Sequence, residues 1–195
     1  MERGLIPLSL IQYIGSVGSI QAMLHITDFQ TTLMVWKDLD QIMRTVKEPK
    51  LCLVSSSGGH WEQLQKLKPL IEKYDGFLVT EKTQFRVDTQ YYMIQTDLKD
   101  KLMLPKMLIN GARAVKIWIK EKPDFVITTG TMVAYPFYLL AVLFHKRFIF
   151  IETFGRANMP TVAGKLMEKH SDLFIVQWES QIKHYKKAVY GGCLY

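Results

Sequence analysis

Six residues carry the densest chemistry in the chain: Ser55-Ser56-Ser57-Gly58-Gly59-His60, directly after the apolar run Leu51-Cys52-Leu53-Val54. Hydroxyls, two glycines and an imidazole at the start of a helical pattern (Trp61, Leu64, Leu67, Leu70, Ile71) suit an anionic group. Glycine lets backbone approach a ligand closely, and a helix N-terminus offers unpaired N–H groups at the positive end of its dipole. His60 adds a side chain able to carry a proton near neutral pH. Two further polar stretches follow apolar runs: Thr128-Thr129-Gly130-Thr131, and Glu152-Thr153-Phe154-Gly155-Arg156.

The elements that must position these stretches alternate. Strands are expected at 51–55, 76–80, 91–95, 125–129, 147–152 and 173–177, and helices at 60–74, 105–121, 134–144 and 161–170. Near-continuous apolar strands between helices imply a parallel sheet covered on both faces. This predicts an α/β, Rossmann-like domain whose ligands sit at the carboxyl ends of the strands, where all three polar stretches fall. The dinucleotide fingerprint Gly-x-Gly-x-x-Gly is absent. That argues against an NAD site, although Glu81 near the end of the second strand keeps one open.

The chain has 195 residues, 48% of them hydrophobic, enough for one core. Its net charge of +7 lies wholly in residues 51–195, because residues 1–50 hold five Lys/Arg and five Asp/Glu. A basic globular part points to an anionic partner such as a phosphorylated small molecule or an acidic membrane surface. Nucleic acid fits poorly, since the lysines are dispersed and no recognised module is present. Two cysteines, Cys52 and Cys193, suggest neither a disulfide framework nor a zinc site, so no metal is expected and a reducing cytoplasm is the default.

Residues 1–48 read as a helical arm that attaches to a membrane or else packs on protein, and residues 49–195 as the Rossmann-like domain. Between Gly4 and Thr27 there is no charged residue, close to the ~20 apolar residues a spanning helix needs. Glutamines, serines, glycines and Pro7 dilute it, which suits a shallow or re-entrant segment better. A second amphipathic helix is expected over 33–46, through Leu33, Trp36, Leu39, Ile42, Met43 and Val46. Along 105–121, Lys106, Arg113, Lys116 and Lys120 share one approximate face, with Met107, Leu108, Trp118 and Ile119 among them. That is either a membrane-facing basic surface with apolar wedges or a solvated helix face.

The motifs Ser56–Leu64, Thr128–Thr131, Phe150–Arg156 followed by Ala163-Gly164-Lys165, Asp172–Trp178 and Tyr190-Gly191-Gly192 occur in that order. Together, over about residues 50–195, they resemble the acceptor-side subunit of split GT-B glycosyltransferases. One branch is the membrane-anchoring subunit of the eukaryotic enzyme that adds the second GlcNAc to dolichol-linked oligosaccharide. The other is the bacterial capsule and exopolysaccharide proteins, which the form Ser-Ser-Gly-Gly-His-Trp-Glu-Gln-Leu looks more like. The layout is also similar to the N-terminal half of the peptidoglycan GlcNAc transferase that makes lipid II. The resemblance implies half of a GT-B fold, a catalytic UDP-sugar-binding partner subunit, a polyprenyl-diphosphate lipid acceptor, and a place on the cytoplasmic face of the membrane. It implies no cofactor of the chain's own.

Under that resemblance, His60 and Glu152 are the catalytic candidates. His60 acts as general base or binds the acceptor diphosphate, or merely caps backbone at a helix start. Glu152 orients His60, accepts a sugar hydroxyl, or pairs with Arg156. Ser57, Gly58, Gly59, Thr129, Gly130, Thr131 and Arg156 form the acceptor and phosphate site. Lys165 and Asp172 are surface or structural. The tail Val189–Tyr195 resembles the segment that in this family reaches toward the catalytic partner. Two rival readings stand beside it: a non-catalytic scaffold that recruits and activates the partner, and a stand-alone nucleotide-dependent Rossmann enzyme.

Overall fold

The structure, a computed structural model, describes residues 35, 37–84, 86–96 and 100–194. The charge-free stretch 4–27 lies outside the described residues, as do Leu33 and Trp36 of the second expected helix. Among the described residues no helix is long and apolar enough to cross a membrane.

Seven strands form one sheet: β1 Leu51–Val54, β2 Gly76–Glu81, β3 Tyr91–Met93, β4 Phe125–Thr128, β5 Arg147–Ile151, β6 Leu173–Val176 and β7 Ala188–Tyr190. Their order is β3-β2-β1-β4-β5-β6-β7, and every neighbouring pair is parallel. The chain therefore builds outward from β1 in one direction and from β4 in the other. The point where the order reverses lies between β1 and β4, which pair in register from Leu51↔Phe125 to Val54↔Thr128. Crevices that bind ligands open at such switch points. The expected α/β doubly wound sheet is what the chain forms.

Strand residues alternate between two cores, because successive side chains point to opposite faces. Cys52, Val54, Val79, Val126, Phe148, Phe150 and Phe174 pack with helices 103–121 and 135–143. Leu51, Leu53, Leu78, Phe125, Ile127, Ile149 and Ile175 pack with Trp61, Leu64, Leu67 and Leu70 from the helices after β1. Val35, Leu39 and Met43 join that second core, with residues 37–43 helical. Asp40 fastens this segment to the domain, accepting from Tyr74 Oη (2.8 Å) and pairing with Lys73 and Arg44.

Four expectations need correction. The helix expected over 60–74 is two helices, Gly59–Gln65 and Lys68–Lys73. Pro69 lacks an N–H and its ring collides with the carbonyl four residues earlier, so one continuous helix cannot run through it. The helix expected over 161–170 ends at Met167 and closes with a 3-10 turn, Glu168–His170. Trp118 is buried rather than a surface wedge, stacked on Phe144 at 5.8 Å. The described part of the tail, read only as a segment reaching toward a partner, supplies β7, parallel to β6, and buries Leu194 while Val189 stays exposed.

Candidate functional site

β1 and β4 end side by side, so the loops that follow them meet. His60, in the first turn of helix 59–65, places Nδ1 2.7 Å from the Thr129 carbonyl. Thr129 Oγ1 donates back to the His60 carbonyl at 2.8 Å. A carbonyl oxygen only accepts, so Nδ1 carries the proton in this contact. In the neutral ring that leaves Nε2 with its lone pair, the atom a base or an acceptor contact needs.

Gly130 makes the meeting possible. Its φ of +109° lies where side chains are strained. A β-carbon there would press on the His60 ring at 3.2–3.3 Å. Thr131 continues the turn at φ +77°, a costly conformation for a threonine, and its buried Oγ1 has no hydrogen-bond partner among the described residues. On the facing loop, Gly58 has φ +75° and precedes helix 59–65 with no side-chain cap. Gly58 and Gly59 are exposed, with open space above both α-carbons, so an oxyanion can approach their backbone. Ser57 is half-buried. His60, Ser57, Gly58, Gly59, Thr129, Gly130 and Thr131 are thus gathered at one switch-point edge.

Glu152 is held differently. It is fully buried at the end of β5. Its Oε1 accepts the Thr153 N–H (2.8 Å), and its Oε2 accepts Thr161 Oγ1 (2.9 Å) and the Tyr185 hydroxyl. Burial first, and then the Glu152 carboxylate, push the Tyr185 phenol far above its usual range. Neither His60 nor Arg156 is among these partners. Glu152 is therefore an anchor for the 152–161 loop, which corrects its expected pairing with either residue. Arg156 is exposed, and its carbonyl accepts from Gln181 Nε2 (2.6 Å). Lys165 and Asp172 are structural, as expected. Lys165 Nζ donates to the His184 carbonyl, and Asp172 pairs with Arg147 (2.6 Å) and accepts the Phe148 N–H (2.8 Å).

The loop's other fasteners escaped sequence reasoning. Ser180 Oγ donates to the Ala157 carbonyl (2.5 Å), His184 Nε2 meets the Asn158 carbonyl (2.8 Å), and Trp178 Nε1 donates to the Phe154 carbonyl (2.8 Å). Gln63 and Gln177 tie the same loop to helix 59–65. One signal was available: Glu152 and Gln177 each end an apolar strand, and a polar side chain there must find partners. Glu81, the residue that kept a dinucleotide site open, is buried and accepts both the Thr96 N–H and hydroxyl at 3.0 Å. Burial holds its carboxyl above the usual value despite those bonds.

Helix 103–121 presents Leu104, Leu108, Val115 and Ile119 to solvent, with Arg113 and Lys116 exposed beside them. Lys106 is engaged by Asp100, and Lys120 by Tyr91 Oη (2.8 Å).

Residues 102–194 match the family model described as oligosaccharide biosynthesis protein Alg14 like. A curated relative from Yarrowia lipolytica, named UDP-N-acetylglucosamine transferase subunit ALG14, is 28% identical over 175 residues, covering 75% of this chain and 81% of the relative. The human protein of the same name is 35% identical over 79 residues, covering 37% of each chain. The capsule and exopolysaccharide branch of the resemblance finds no support among these relatives, which come from yeasts and mammals. Among solved structures, Acinetobacter baumannii MurG superposes with a TM-score of 0.59 at 15% identity, over 74% of this chain and 46% of that one. UDP-N-acetylglucosamine 2-epimerase from Rickettsia bellii gives 0.59 at 13% identity, over 76% and 46%. The chain thus spans less than half the length of these structures, and the likeness shows the fold, a Rossmann-like sheet of GT-B type.

Proposed function

We propose that this chain is an Alg14-type subunit: the acceptor- and membrane-binding half of a two-chain UDP-N-acetylglucosamine transferase acting on a polyprenyl-diphosphate-linked saccharide. The observation that carries the reading is the pairing of His60 with the Thr129–Gly130 turn at the sheet's switch point. In this reading a catalytic partner brings the UDP-sugar. The Gly58–Gly59 backbone and the Thr131 hydroxyl receive the acceptor diphosphate. The Nδ1–H bond to Thr129 orients the imidazole, and Nε2 takes the proton from the acceptor hydroxyl as its oxygen bonds to the donor's anomeric carbon and the bond from that carbon to the UDP oxygen breaks, UDP leaving with the partner. Arg156, exposed at the end of the anchored loop, adds a cation for the acceptor's phosphates. The apolar stripe on helix 103–121, flanked by Arg113 and Lys116, rests on the cytoplasmic leaflet. There the leucines reach the acyl boundary and the cations meet anionic headgroups.

The test is transfer from UDP-N-acetylglucosamine to a polyprenyl-diphosphate saccharide with the purified partner. His60→Ala is expected to lower the rate by about 10²–10⁴-fold, the usual contribution of a positioned acid or base, with partner binding retained. An unchanged rate would favour the rival reading of a non-catalytic scaffold, to which the engagement of both Glu152 oxygens already lends weight. Full turnover by this chain without a partner would defeat the two-chain reading.

A further inference from the structure

Leu194 is wired through Gln177 to the helix that bears His60. Gln177 is the residue after β6, buried to 2% exposure. Its Nε2 donates to Gln63 Oε1 at 2.5 Å and to the Glu152 carbonyl at 2.8 Å, and its Oε1 accepts the Leu194 N–H at 2.9 Å. Gln63 is also buried to 2% exposure, one turn after His60 on helix 59–65. Its Oε1 accepts the Phe154 N–H at 3.3 Å, and its Nε2 reaches Thr153 Oγ1 at 3.5 Å. Two side-chain amides thus join three segments: the tail, the loop after β5, and the His60 helix.

A buried amide costs stability unless its donors and acceptors are met, and a fully met network fixes one arrangement. Here both N–H groups of Gln177 are used on the site side, and its carbonyl is used by the tail. The tail is itself set tightly. The Gly191 N–H donates to the Val176 carbonyl (3.0 Å), and a β-carbon on Gly191 would collide with Ile175.

We infer that Gln177 is a positioning residue that couples the tail, residues 191–194, to the placement of His60 and of the Thr153–Phe154 turn. Anything that grips or releases the tail then acts on the imidazole 2.7 Å from Thr129. The functional weight of this coupling rests on the proposed role of His60, but its physical test does not.

The test uses the whole chain with labelled histidine, the His60 imidazole signal being assigned by its loss in His60→Gln. Gln177→Met removes all three bonds at similar volume. Gln177→Glu keeps the acceptor for Leu194 and reverses the site-side donor. Leu194→Pro removes the tail's N–H and trims the buried leucine side chain with it. Each folded variant is expected to shift the His60 resonance and to speed amide exchange across residues 60–65 by about tenfold or more. Cys193→Ser, which leaves the Leu194 N–H in place, is expected to do neither. The proposal is overturned if any folded variant of the three leaves both the His60 signal and the exchange rates as in the wild type. No partner, nucleotide sugar or lipid enters these measurements. Failure here is therefore distinct from failure of the transferase reading, which would appear as absent transfer in the reconstituted assay.

Discussion

Gly164 offers the sharpest check on the anchor beneath the 152–161 loop. It sits in helix 162–167, and its N–H donates to Thr161 Oγ1 at 2.9 Å, capping the helix start. A β-carbon there would lie well inside 3.0 Å of Glu152 Oε2, 2.6 Å from the Tyr185 hydroxyl and 2.9 Å from Thr161 Oγ1. These are the groups that satisfy the buried carboxylate, and none is the free end of a flexible chain. Gly164→Ala therefore must displace Glu152 or the helix. Overpacking of this kind costs about 1–3 kcal/mol. Weakening one hydrogen bond to a charged group adds about 1.5–3 kcal/mol. The helix preference of alanine over glycine returns up to about 1 kcal/mol. The expected net loss is about 3 kcal/mol, or roughly 6–12 °C in melting temperature for a domain of this size.

Gly111 is the internal control. It lies inside helix 103–121 with nothing within 4 Å of its would-be β-carbon. Gly111→Ala should therefore raise stability by about 0.5–1 kcal/mol. Thermal and urea unfolding followed by circular dichroism read both variants. A Gly164→Ala protein as stable as the wild type would refute the packing described around Glu152. Equal losses at both positions would show that the effect is backbone flexibility rather than collision.

Other outcomes follow from the same contacts. Tyr185→Phe keeps the ring tilted against Phe174 at 4.5 Å but removes the donor to Glu152 and the acceptor for the Thr161 N–H. A loss of about 2–3 kcal/mol is expected in urea unfolding. Because the folded phenol titrates above its ordinary value of 10.0, that contribution is fully present below pH 10 and fades above it. Glu81→Gln tests the opposite sign of penalty. The folded carboxyl is raised by burial, so its ionisation works against folding as pH rises past its ordinary 4.5. The glutamine variant should have a higher urea midpoint at pH 8, and the difference should vanish below pH 4.5. For the membrane reading, Leu104→Ser with Leu108→Ser should weaken binding of the chain to anionic vesicles while leaving its melting temperature within about 2 °C, since both leucines are exposed.

What could be read ahead was set by local apolar runs. Phe125-Val-Ile-Thr and Arg147-Phe-Ile-Phe-Ile could hardly be anything but covered parallel strands, and the loops after them had to share an edge. β7 was hidden because Ala188-Val189-Tyr190 is three residues between paired lysines and paired glycines, and only pairing with β6 makes it a strand. The partners of Glu152 were hidden for a related reason. Arg156 is near in sequence and opposite in charge, whereas Thr161 and Tyr185 are neutral and 9 and 33 residues away. Charge complementarity suggests an ion pair, but a deeply buried carboxylate at a crowded strand end is satisfied by short, fixed hydroxyls and a backbone N–H instead. The same physics separates the two parts of the site. The β1 and β4 loops were legible because glycine and histidine announce a close approach. The network that holds them still is made of glutamines, a threonine and a tyrosine, residue types that look like ordinary surface until the fold buries them. That division leaves the 55–60 and 128–131 loops as the edge proposed to meet a ligand, while residues 63, 152, 177 and 185 are buried behind it.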